Sequence, residues 1–278
     1  MNAQFFRKFF RSRLAFGGVV LLLTVLAFAI YSFFLNAHAI TNLINPSIRA
    51  ELPSSAHLFG TDAYGRDLFA ISALAIRTDL YIGAVAAVLS SIVGISIGAV
   101  SAILKGWKDE TMMRTIDIFL SIPALVFALA IVAVLGKSLV YIIIALVVVS
   151  SPQLARIVRS KVLGELTKPY VDNLLILGIP RVSILFRHVL KNIGFFLASL
   201  VALQVAFAVT VLSALEYIGF GSGSLTPELG AIISSAQIYI FSDIWLLVIP
   251  SILLVVVVLA FTLLSNGLRQ LDPRGAAS

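Results

Sequence analysis

The sequence predicts an all-α membrane protein with six transmembrane helices, and its composition and hydropathy pattern support this fold class. Hydrophobic residues make up 60% of the 278 residues, whereas charged residues make up only 12%, about half the share in an ordinary globular domain. A soluble domain of this length could not bury so much apolar surface, so that surface is expected to face lipid. The apolar residues form long runs rather than the short alternating segments of a membrane β-barrel.

Six apolar stretches are interpreted as transmembrane helices. Each needs roughly 20 mostly apolar residues to cross about 30 Å of hydrocarbon. The stretch Ile118–Ala155 is long enough for two spans, with a tight turn at Gly136-Lys137-Ser138 between them. Pro123 and Pro250 are expected to bend or interrupt their spans. The other four predicted spans carry no charged side chain and are Leu14–Leu35, Leu80–Leu104, Ile193–Leu215 and Ile244–Leu264.

The distribution of basic residues predicts which helix ends face the cytoplasm. With the N-terminus inside, sixteen of the twenty Lys and Arg residues fall in cytoplasmic segments, and the external segments contain Arg49, Arg66, Arg77 and Lys137. An excess of this kind is typical of cytoplasmic loops, so both termini are predicted to be cytoplasmic. The net charge of +7 then reflects membrane topology rather than binding to nucleic acid.

The N-terminal apolar run has some features of a secretion signal. Basic residues precede it, and Ala37-His38-Ala39 is similar to a signal-peptidase site. However, the run Leu14–Leu35 has 22 residues, against roughly 7–15 in a signal peptide. An uncleaved first helix is therefore predicted.

The external connection 36–79 is too long for a simple turn and contains a group of polar residues between His57 and Asp67. Gly60 can supply a turn, Thr61 or Asp62 can cap a helix, and Asp62 and Arg66 lie one helical turn apart. On these grounds alone, the segment is interpreted as a capped surface helix that leads into the second span.

The cytoplasmic segment Arg156–Asn192 is predicted to form a helix, a break and a second helix. Pro169 suits a first helical turn, and Gly178-Ile179-Pro180 suits a helix end followed by a restart. The segment carries seven basic residues, so attachment to anionic lipid and docking to a partner protein are equally consistent with the pattern. An apolar docking face is expected from Val171, Leu174, Leu175 and Leu177.

The sequence lacks the residue patterns of an enzyme or a metal site. Cys is absent, and the predicted spans contain no charged residue away from their ends, so Glu216 is expected to be a solvated charge at the end of the fifth span. Gly136-Lys137-Ser138 is similar to the end of a phosphate-binding loop, but Ile131 stands where that loop requires Gly. The three histidines are predicted to lie on different sides of the membrane and are His38, His57 and His188.

Small and polar residues within the spans indicate how the helices pack. Gly83, Gly94 and Gly98 belong to a stripe of small residues along the second span, which permits close helix approach. On the fifth span Ser199, Thr210 and Ser213 fall on one face, with Gln204 elsewhere, and these hydroxyls are candidates for lining a polar pathway. The alternative is that each hydroxyl bonds back to its own helix.

Several motifs in order resemble those of a known transporter family. The most specific is His57, then Gly60-Thr61-Asp62, then Gly65-Arg66-Asp67. The chain resembles, from about residue 10 to Arg274, the second permease of ATP-binding-cassette (ABC) importers for dipeptides, oligopeptides and nickel. Further matches are Arg114, Asp117, Ser121-Ile122-Pro123, Arg156, Arg159, Gly219-Phe220-Gly221, Pro227, Gly230, Pro250, Asn266-Gly267-Leu268-Arg269 and Leu271-Asp272-Pro273-Arg274.

The resemblance implies that the cytoplasmic segment docks into a groove on an ATPase subunit. The family pattern is Glu-Ala-Ala, a Gly six residues after the Glu, and a later Leu-Pro. Here Asp172 replaces the Glu, Asn173-Leu174 replaces Ala-Ala, and Lys191 replaces the Pro, while Gly178 keeps its spacing. The residues implied in ATPase coupling are Tyr170, Asp172, Leu174, Gly178, Arg187 and His188.

The resemblance further implies a type I ABC importer permease that forms half of the translocation pathway of an ATP-driven, binding-protein-dependent importer of short peptides. The implied partners are a homologous second permease, two ABC ATPase subunits and an extracytoplasmic solute-binding protein, in a bacterial or archaeal plasma (inner) membrane. The chain itself is then no enzyme and carries no cofactor, because ATP and Mg bind to the ATPase subunits. Residues 1–79 are predicted to hold the N-terminal segment, first span and external loop, and residues 80–278 the core permease domain with the coupling loop 156–192.

Other cargoes and mechanisms stay open from the sequence. Relatives of this type carry nickel or metal–chelator complexes, and a largely uncharged pathway leaves the choice of cargo to the binding protein. A secondary transporter would be expected to show internal repeats, broken helices at mid-membrane and a buried coupling charge. An intramembrane enzyme would need a catalytic dyad or metal ligands within the spans, and neither pattern is visible.

Overall fold

The structure, a computed structural model, describes residues 13–35, 45–104, 106–222 and 227–270. Ala37-His38-Ala39 and Leu271-Asp272-Pro273-Arg274 lie outside the described residues, as does the segment 1–12. Within the described part of the chain the regular structure is helical, and the isolated β-bridge between Thr61 and Asp67 is the only strand-like pairing. The α-helices are α1 (Arg13–Tyr31), α2 (Leu68–Leu104), α3 (Gly106–Leu120), α4 (Ala124–Leu135), α5 (Leu139–Leu166), α6 (Pro169–Ile176), α7 (Arg181–Ile184), α8 (Leu190–Asn192), α9 (Gly194–Tyr217), α10 (Leu229–Ala236) and α11 (Trp245–Gln270).

Tighter and wider helical turns supplement these α-helices. A π-helical turn, Leu185–Val189, joins α7 to α8. The 3-10 turns are Ser32–Phe34 after α1, Pro46–Ile48 in the external loop and Gln237–Tyr239 after α10.

Among the described residues, five helices are long and apolar enough to cross a membrane, and one bent pair provides a sixth candidate span. The pair is α3 and α4, bent by 83° across Ser121-Ile122-Pro123, so the interruption expected at Pro123 is confirmed. The turn predicted at Gly136-Lys137-Ser138 is also confirmed, because α4 ends at Leu135 and α5 begins at Leu139. The all-α fold class of the prediction is therefore correct, with the third span broken.

The second span begins earlier than predicted. α2 starts at Leu68 instead of Leu80 and has 37 residues, so its length is about 55 Å, well beyond the hydrocarbon thickness. Arg77 and Asp79 end the apolar run in the sequence, yet both lie inside the helix. The Arg77 guanidinium lies 4.8 Å from the centre of the Phe33 ring, and Asp79 is buried. The division into residues 1–79 and 80–278 stays a prediction whose boundary falls within α2.

Two further helices differ in length from the predicted spans. α4 has 12 residues and measures about 18 Å, so it cannot cross about 30 Å of hydrocarbon without α3. α11 extends to Gln270, six residues past the predicted end at Leu264. It contains Pro250, which does not interrupt the helix.

The small-residue stripe on α2 brings two other helices close, which confirms its predicted packing role. A Cβ on Gly83 would lie 2.6 Å from the Val209 side chain on α9. A Cβ on Gly98 would lie 2.3 Å from the Ala155 carbonyl oxygen on α5. Because both distances are shorter than van der Waals contact, only a residue without a side chain fits at either position.

An apolar cluster connects the segment after α5 to the membrane helices. Val171 of α6 and Leu185 of the π-helical turn are buried in one cluster with Val158 and Val162 of α5. Ala102, near the end of α2, belongs to the same cluster. The segment is therefore packed onto the ends of α2 and α5 rather than suspended from the chain at its two ends.

Candidate functional site

The segment between α5 and α9 has the predicted shape of helix, break and helix. Pro169 begins α6, where its fixed φ suits the first turn. Gly178 follows α6 with a φ of 78°, a conformation that side-chain-bearing residues rarely adopt. The backbone N–H groups of Gly178 and Ile179 donate to the carbonyl oxygens of Leu175 and Leu174, at 3.0 and 3.1 Å. These bonds close the helix end, so α6 and α7 are held as separate short helices.

The apolar residues of α6 do not share one face, contrary to the sequence-based expectation. Val171 is buried and Leu174 packs partly against the same cluster, whereas Leu177 is 74% exposed. Leu177 follows the last residue of α6 and takes a backbone ψ of 2°, so the helical periodicity that groups it with Val171 no longer applies there. Leu175 is partly exposed beside a cavity.

A different group of apolar side chains faces away from the cluster. Ile176 and Leu177 are exposed at the end of α6, and Val182 and Phe186 are exposed on the helical segment after Gly178. We call these four residues the coupling surface. Exposed apolar side chains of this size outside the predicted spans indicate contact with another surface.

A buried carboxylate anchors the start of α6 to the end of α5. Glu165 is 3% exposed, and its carboxylate accepts a hydrogen bond from the Tyr170 hydroxyl at 3.1 Å. The Lys168 ammonium lies 2.5 Å from the other carboxylate oxygen. Tyr170, a predicted coupling residue, therefore faces the membrane helix.

The other predicted coupling residues are distributed over the segment. Asp172 and Arg181 border a cavity of about 150 Å³ between α6 and α7. Arg187 is exposed and His188 partly buried, and both belong to the π-helical turn. Wide turns of this kind are frequent at functional sites.

Two arginines, one turn apart on α5, hold α3 beside the segment. The Arg159 guanidinium donates to both carboxylate oxygens of Asp109, at 2.7 and 2.5 Å. The Ser101 hydroxyl of α2 donates to the same carboxylate. Arg156 forms an ion pair with Asp117 further along α3. The ion pairs therefore tie α3, the first half of the broken span, to α5, the helix before the segment between α5 and α9.

The motif between His57 and Asp67, which is predicted to be external, forms a compact hydrogen-bonded loop. The Asp62 carboxylate accepts hydrogen bonds from the backbone N–H groups of Tyr64 (2.8 Å) and Arg66 (2.9 Å), and from the Arg66 guanidinium at 2.7 Å. The Thr61 hydroxyl accepts from the Glu51 N–H at 2.9 Å. The His57 Nδ1 lies 2.7 Å from the Asp67 carboxylate.

Asp67, not Thr61 or Asp62, caps the helix that follows. Its carboxylate accepts a hydrogen bond from the Ala70 N–H at 2.9 Å in the first turn of α2. Asp62 and Arg66, expected to lie one helical turn apart on a surface helix, form an ion pair within a turn before the helix. Gly60 and Gly65 both have positive φ, and a Cβ at either would lie within 2.3 Å of a backbone oxygen. The motif therefore fixes the start of α2.

Three acidic residues meet at the start of α10, and sequence reasoning missed this cluster. The Leu229 N–H donates to Asp79 at 3.2 Å, and the Gly230 N–H donates to Glu216 at 3.0 Å. Glu216 is 2% exposed, so the expectation that it is solvated was wrong. The N-terminal amides of α10 stabilise the acidic side chains. Helices α2, α9 and α10 are joined there.

The third acidic residue, Glu228, bonds to Ser222, which lies between α9 and α10 in the chain. Its carboxylate accepts a hydrogen bond from the Ser222 N–H at 2.6 Å and another from the Ser222 hydroxyl. Burial raises the pKa of the Glu228 carboxyl, an effect that these hydrogen bonds only partly oppose. A Cβ on Gly221 would lie 1.9 Å from the carboxylate, which leaves no room there for a larger residue.

The hydroxyls predicted as pathway candidates occupy different environments. The Ser199 hydroxyl donates to the Phe196 carbonyl oxygen at 2.7 Å, and the Thr210 hydroxyl to that of Ala206 at 2.8 Å. The Ser213 hydroxyl is buried without a hydrogen-bond partner in the described structure. Thr210 alone of the three borders the cavity between α5, α9 and α11.

The described residues contain no group of three or more His, Cys, Asp or Glu side chains arranged to hold a metal ion. The acidic cluster at α10 binds backbone amides instead. One sequence signal could have indicated this cluster. Two isolated acids, Asp79 and Glu216, occur at the ends of apolar runs, and the small residue Gly230 occurs at a helix start.

Comparison with known proteins places most of the chain in one family. Residues 90–274 match the family described as binding-protein-dependent transport system inner membrane component. The chain is 32% identical to the dipeptide transport system permease protein DppC of Alkalihalophilus pseudofirmus, over 97% of this chain and 88% of the relative. It is 31% identical to the oligopeptide transport system permease protein OppC of Haemophilus influenzae, over 96% and 87%. It is 28% identical to the glutathione transport system permease protein GsiD of Pectobacterium atrosepticum, over 98% and 90%.

Proposed function

Because the chain belongs to the family of binding-protein-dependent transport system inner membrane components, we propose that it is a permease subunit of an ATP-driven importer of short peptides. The proposed substrate class rests on the names of the relatives. These names specify dipeptides, oligopeptides and glutathione, which is itself a short peptide. The match extends over nearly the whole chain, so it includes the membrane helices as well as the cytoplasmic segment.

The proposed assembly contains a second permease, two ATPase subunits and an external binding protein. ATP and Mg bind to the ATPase subunits, and this chain carries no cofactor of its own. It lies in the inner membrane of a bacterium or archaeon with both termini cytoplasmic, as the positive-inside pattern predicts. The described spans and the basic cytoplasmic segment support this arrangement.

The coupling surface is the proposed contact with an ATPase subunit. Ile176 and Leu177 are too exposed to contribute to the internal core, and they lie beside the fixed turn at Gly178. Burial of these side chains in a partner's groove would remove their apolar surface from water. Docking then explains why the segment combines a rigid buried side with an apolar outer side.

Movement of the coupling surface would reach the membrane by two routes. Val171 and the Glu165–Tyr170 hydrogen bond transmit displacement of α6 to α5. The Arg159–Asp109 pair transmits displacement of α5 to α3, the first half of the broken span. Packed helices joined in this way move as rigid units between inward-open and outward-open states.

Uptake by the reconstituted transporter tests the proposed function. The chain and its partner subunits are placed in proteoliposomes with the binding protein, and entry of a labelled tripeptide is followed with and without internal ATP. We expect uptake that requires ATP and is indifferent to a proton gradient. Uptake driven by the proton gradient alone would indicate a secondary transporter. ATP-dependent uptake of nickel or a metal chelate, with none of peptide, would assign the other cargo.

A further inference from the structure

The helices α5, α9 and α11 line a groove within the predicted membrane region. Its volume is about 300 Å³. Its walls are largely apolar and include Leu200 and Phe207 of α9. Four polar residues interrupt these walls, and they are Gln153, Gln204, Thr210 and Thr262.

The two glutamines differ from the two threonines in their hydrogen bonding. The Thr210 and Thr262 hydroxyls each donate to a carbonyl oxygen one turn earlier in their own helices, both at 2.8 Å. The side-chain amides of Gln153 and Gln204 form no hydrogen bond with any described residue. Each amide thus keeps two N–H donors and a carbonyl acceptor available in the groove.

The two glutamines lie at similar depth. Gln153 is about 20 Å along α5 from Leu139, and Gln204 is about 20 Å along α9 from Tyr217. Both of these helix ends are predicted to be external. An unpaired amide at such depth is unfavourable against lipid, because hydrocarbon offers no hydrogen-bond partner. The groove therefore suits water or a polar solute better than lipid chains.

We propose that Gln153 and Gln204 form a binding site for peptide groups inside the translocation pathway, an inference that rests on the proposed function. A side-chain amide donates to a peptide carbonyl oxygen and accepts from a peptide N–H, so the two groups are complementary. Both glutamines are uncharged and the surrounding walls are apolar, so the site recognises the main chain and tolerates varied side chains. Such a site offers a passing peptide hydrogen bonds without holding it by charge.

The absence of Cys from this chain allows a direct test in the assembled transporter. Gln153→Cys and Gln204→Cys variants, with Cys-free partner subunits, are treated with a membrane-impermeant thiol reagent in proteoliposomes. We expect labelling that saturating tripeptide slows by about tenfold, since the peptide would occupy the site. Thr24→Cys on α1 is the matched control, because Thr24 lies outside the groove. Its hydroxyl donates to the carbonyl oxygen of Val20 in its own helix.

Uptake measurements complete the test. Gln153→Leu and Gln204→Leu remove the amides at similar volume, and each is expected to lower tripeptide uptake about tenfold at saturating peptide. The variants should also lose discrimination between tri-alanine and its N-methylated analogue relative to the wild type. Thr24→Val should transport as the wild type does.

Three results would overturn the inference. The third would also overturn the proposed function, whereas the first two would leave the proposed function intact. Labelling that peptide does not slow, with unchanged uptake by the Leu variants, would exclude a peptide site. Loss of the second permease from the purified complex on either Leu substitution would identify the groove as a permease–permease contact. If the wild-type transporter takes up no peptide at all, the proposed function itself fails.

Discussion

Arg159 of α5 and Asp109 of α3 are joined by two parallel hydrogen bonds of 2.7 and 2.5 Å, fifty residues apart in sequence. The two side chains are largely shielded from solvent, and the Ser101 hydroxyl completes the set of donors to the carboxylate. This arrangement fixes the first turn of α3 against α5, whereas the Arg156–Asp117 ion pair lies one turn before the bend that leads into α4. The two ion pairs therefore connect α5, which precedes the segment between α5 and α9, to the first half of the broken span.

Removing one member of this pair should destabilise the protein. Arg159→Met leaves a partly buried carboxylate without its main donor, so the Tm of the purified protein should fall by about 2–8 °C. Arg114→Met is the matched control, because the Arg114–Glu110 pair lies on the surface and should contribute little. Equal Tm losses in the two variants would contradict a specific role for Arg159.

The close approach of α2 and α5 should make Gly98 intolerant of a side chain. Gly98→Ala places a methyl group against the Ala155 carbonyl oxygen, so the free energy of unfolding should fall by about 1–3 kcal/mol. Gly164→Ala is the opposite case, since Gly164 is helical with open space around its Cβ position. Its free energy of unfolding should rise by about 0.5–1 kcal/mol. Chemical unfolding in detergent measures the free energy of unfolding of both variants. An unchanged value for Gly98→Ala would contradict the close contact between α2 and α5.

The acidic side chains at α10 should tolerate amides better than apolar residues. Asp79→Asn keeps an acceptor for the Leu229 N–H and removes a buried ionisable carboxyl beside Glu216. Its Tm should equal or exceed that of the wild type. Asp79→Leu leaves the N–H unpaired and should cost about 1–3 kcal/mol. Thermal unfolding of both variants tests this, and an Asn variant as unstable as the Leu variant would mean that charge is required.

The raised pKa of Glu228 predicts a pH dependence of stability. A carboxyl with a folded-state pKa above its unfolded value binds its proton more tightly in the folded state. The contribution of this proton binding to the free energy of unfolding is therefore complete below the unfolded pKa. It is lost as the pH rises through the folded pKa. Glu228→Gln keeps an acceptor for Ser222 and should flatten this part of the Tm profile in the range above about pH 4.3, the ordinary pKa of a glutamate carboxyl. An unchanged difference in Tm between wild type and variant across that range would contradict the prediction.

The coupling surface should be needed for ATPase association but not for folding. Leu177→Glu places a charge on a side chain that is 74% exposed, so the Tm should stay within about 2 °C of the wild type. Recovery of ATPase subunits with the tagged permease should fall at least about tenfold, because a charge would be buried in the contact. Phe241→Glu, at a fully exposed residue predicted to be external, is the matched control. Full ATPase recovery with Leu177→Glu would place the contact elsewhere.

Much of the segment between α5 and α9 could be predicted from local sequence signals. Pro169 and Gly178 have restricted or unusual backbone preferences, so they mark the start of α6 and the turn after it wherever the chain lies. The orientation of Leu177 could not be predicted in the same way. The helix ends just before it, and the helical period no longer describes its direction.

The sequence by itself determined the membrane class, the helical fold and the bend at Pro123, because composition, apolar run length and proline geometry act locally. Tertiary structure decided the roles of Asp79, Glu216 and Arg159. The partners of these residues are the amides at the start of α10 and the carboxylate of Asp109, all distant in sequence. A charged residue at the edge of an apolar run has the same local sequence pattern whether its side chain contacts water or another helix. Only the packing of the helices distinguishes the two environments.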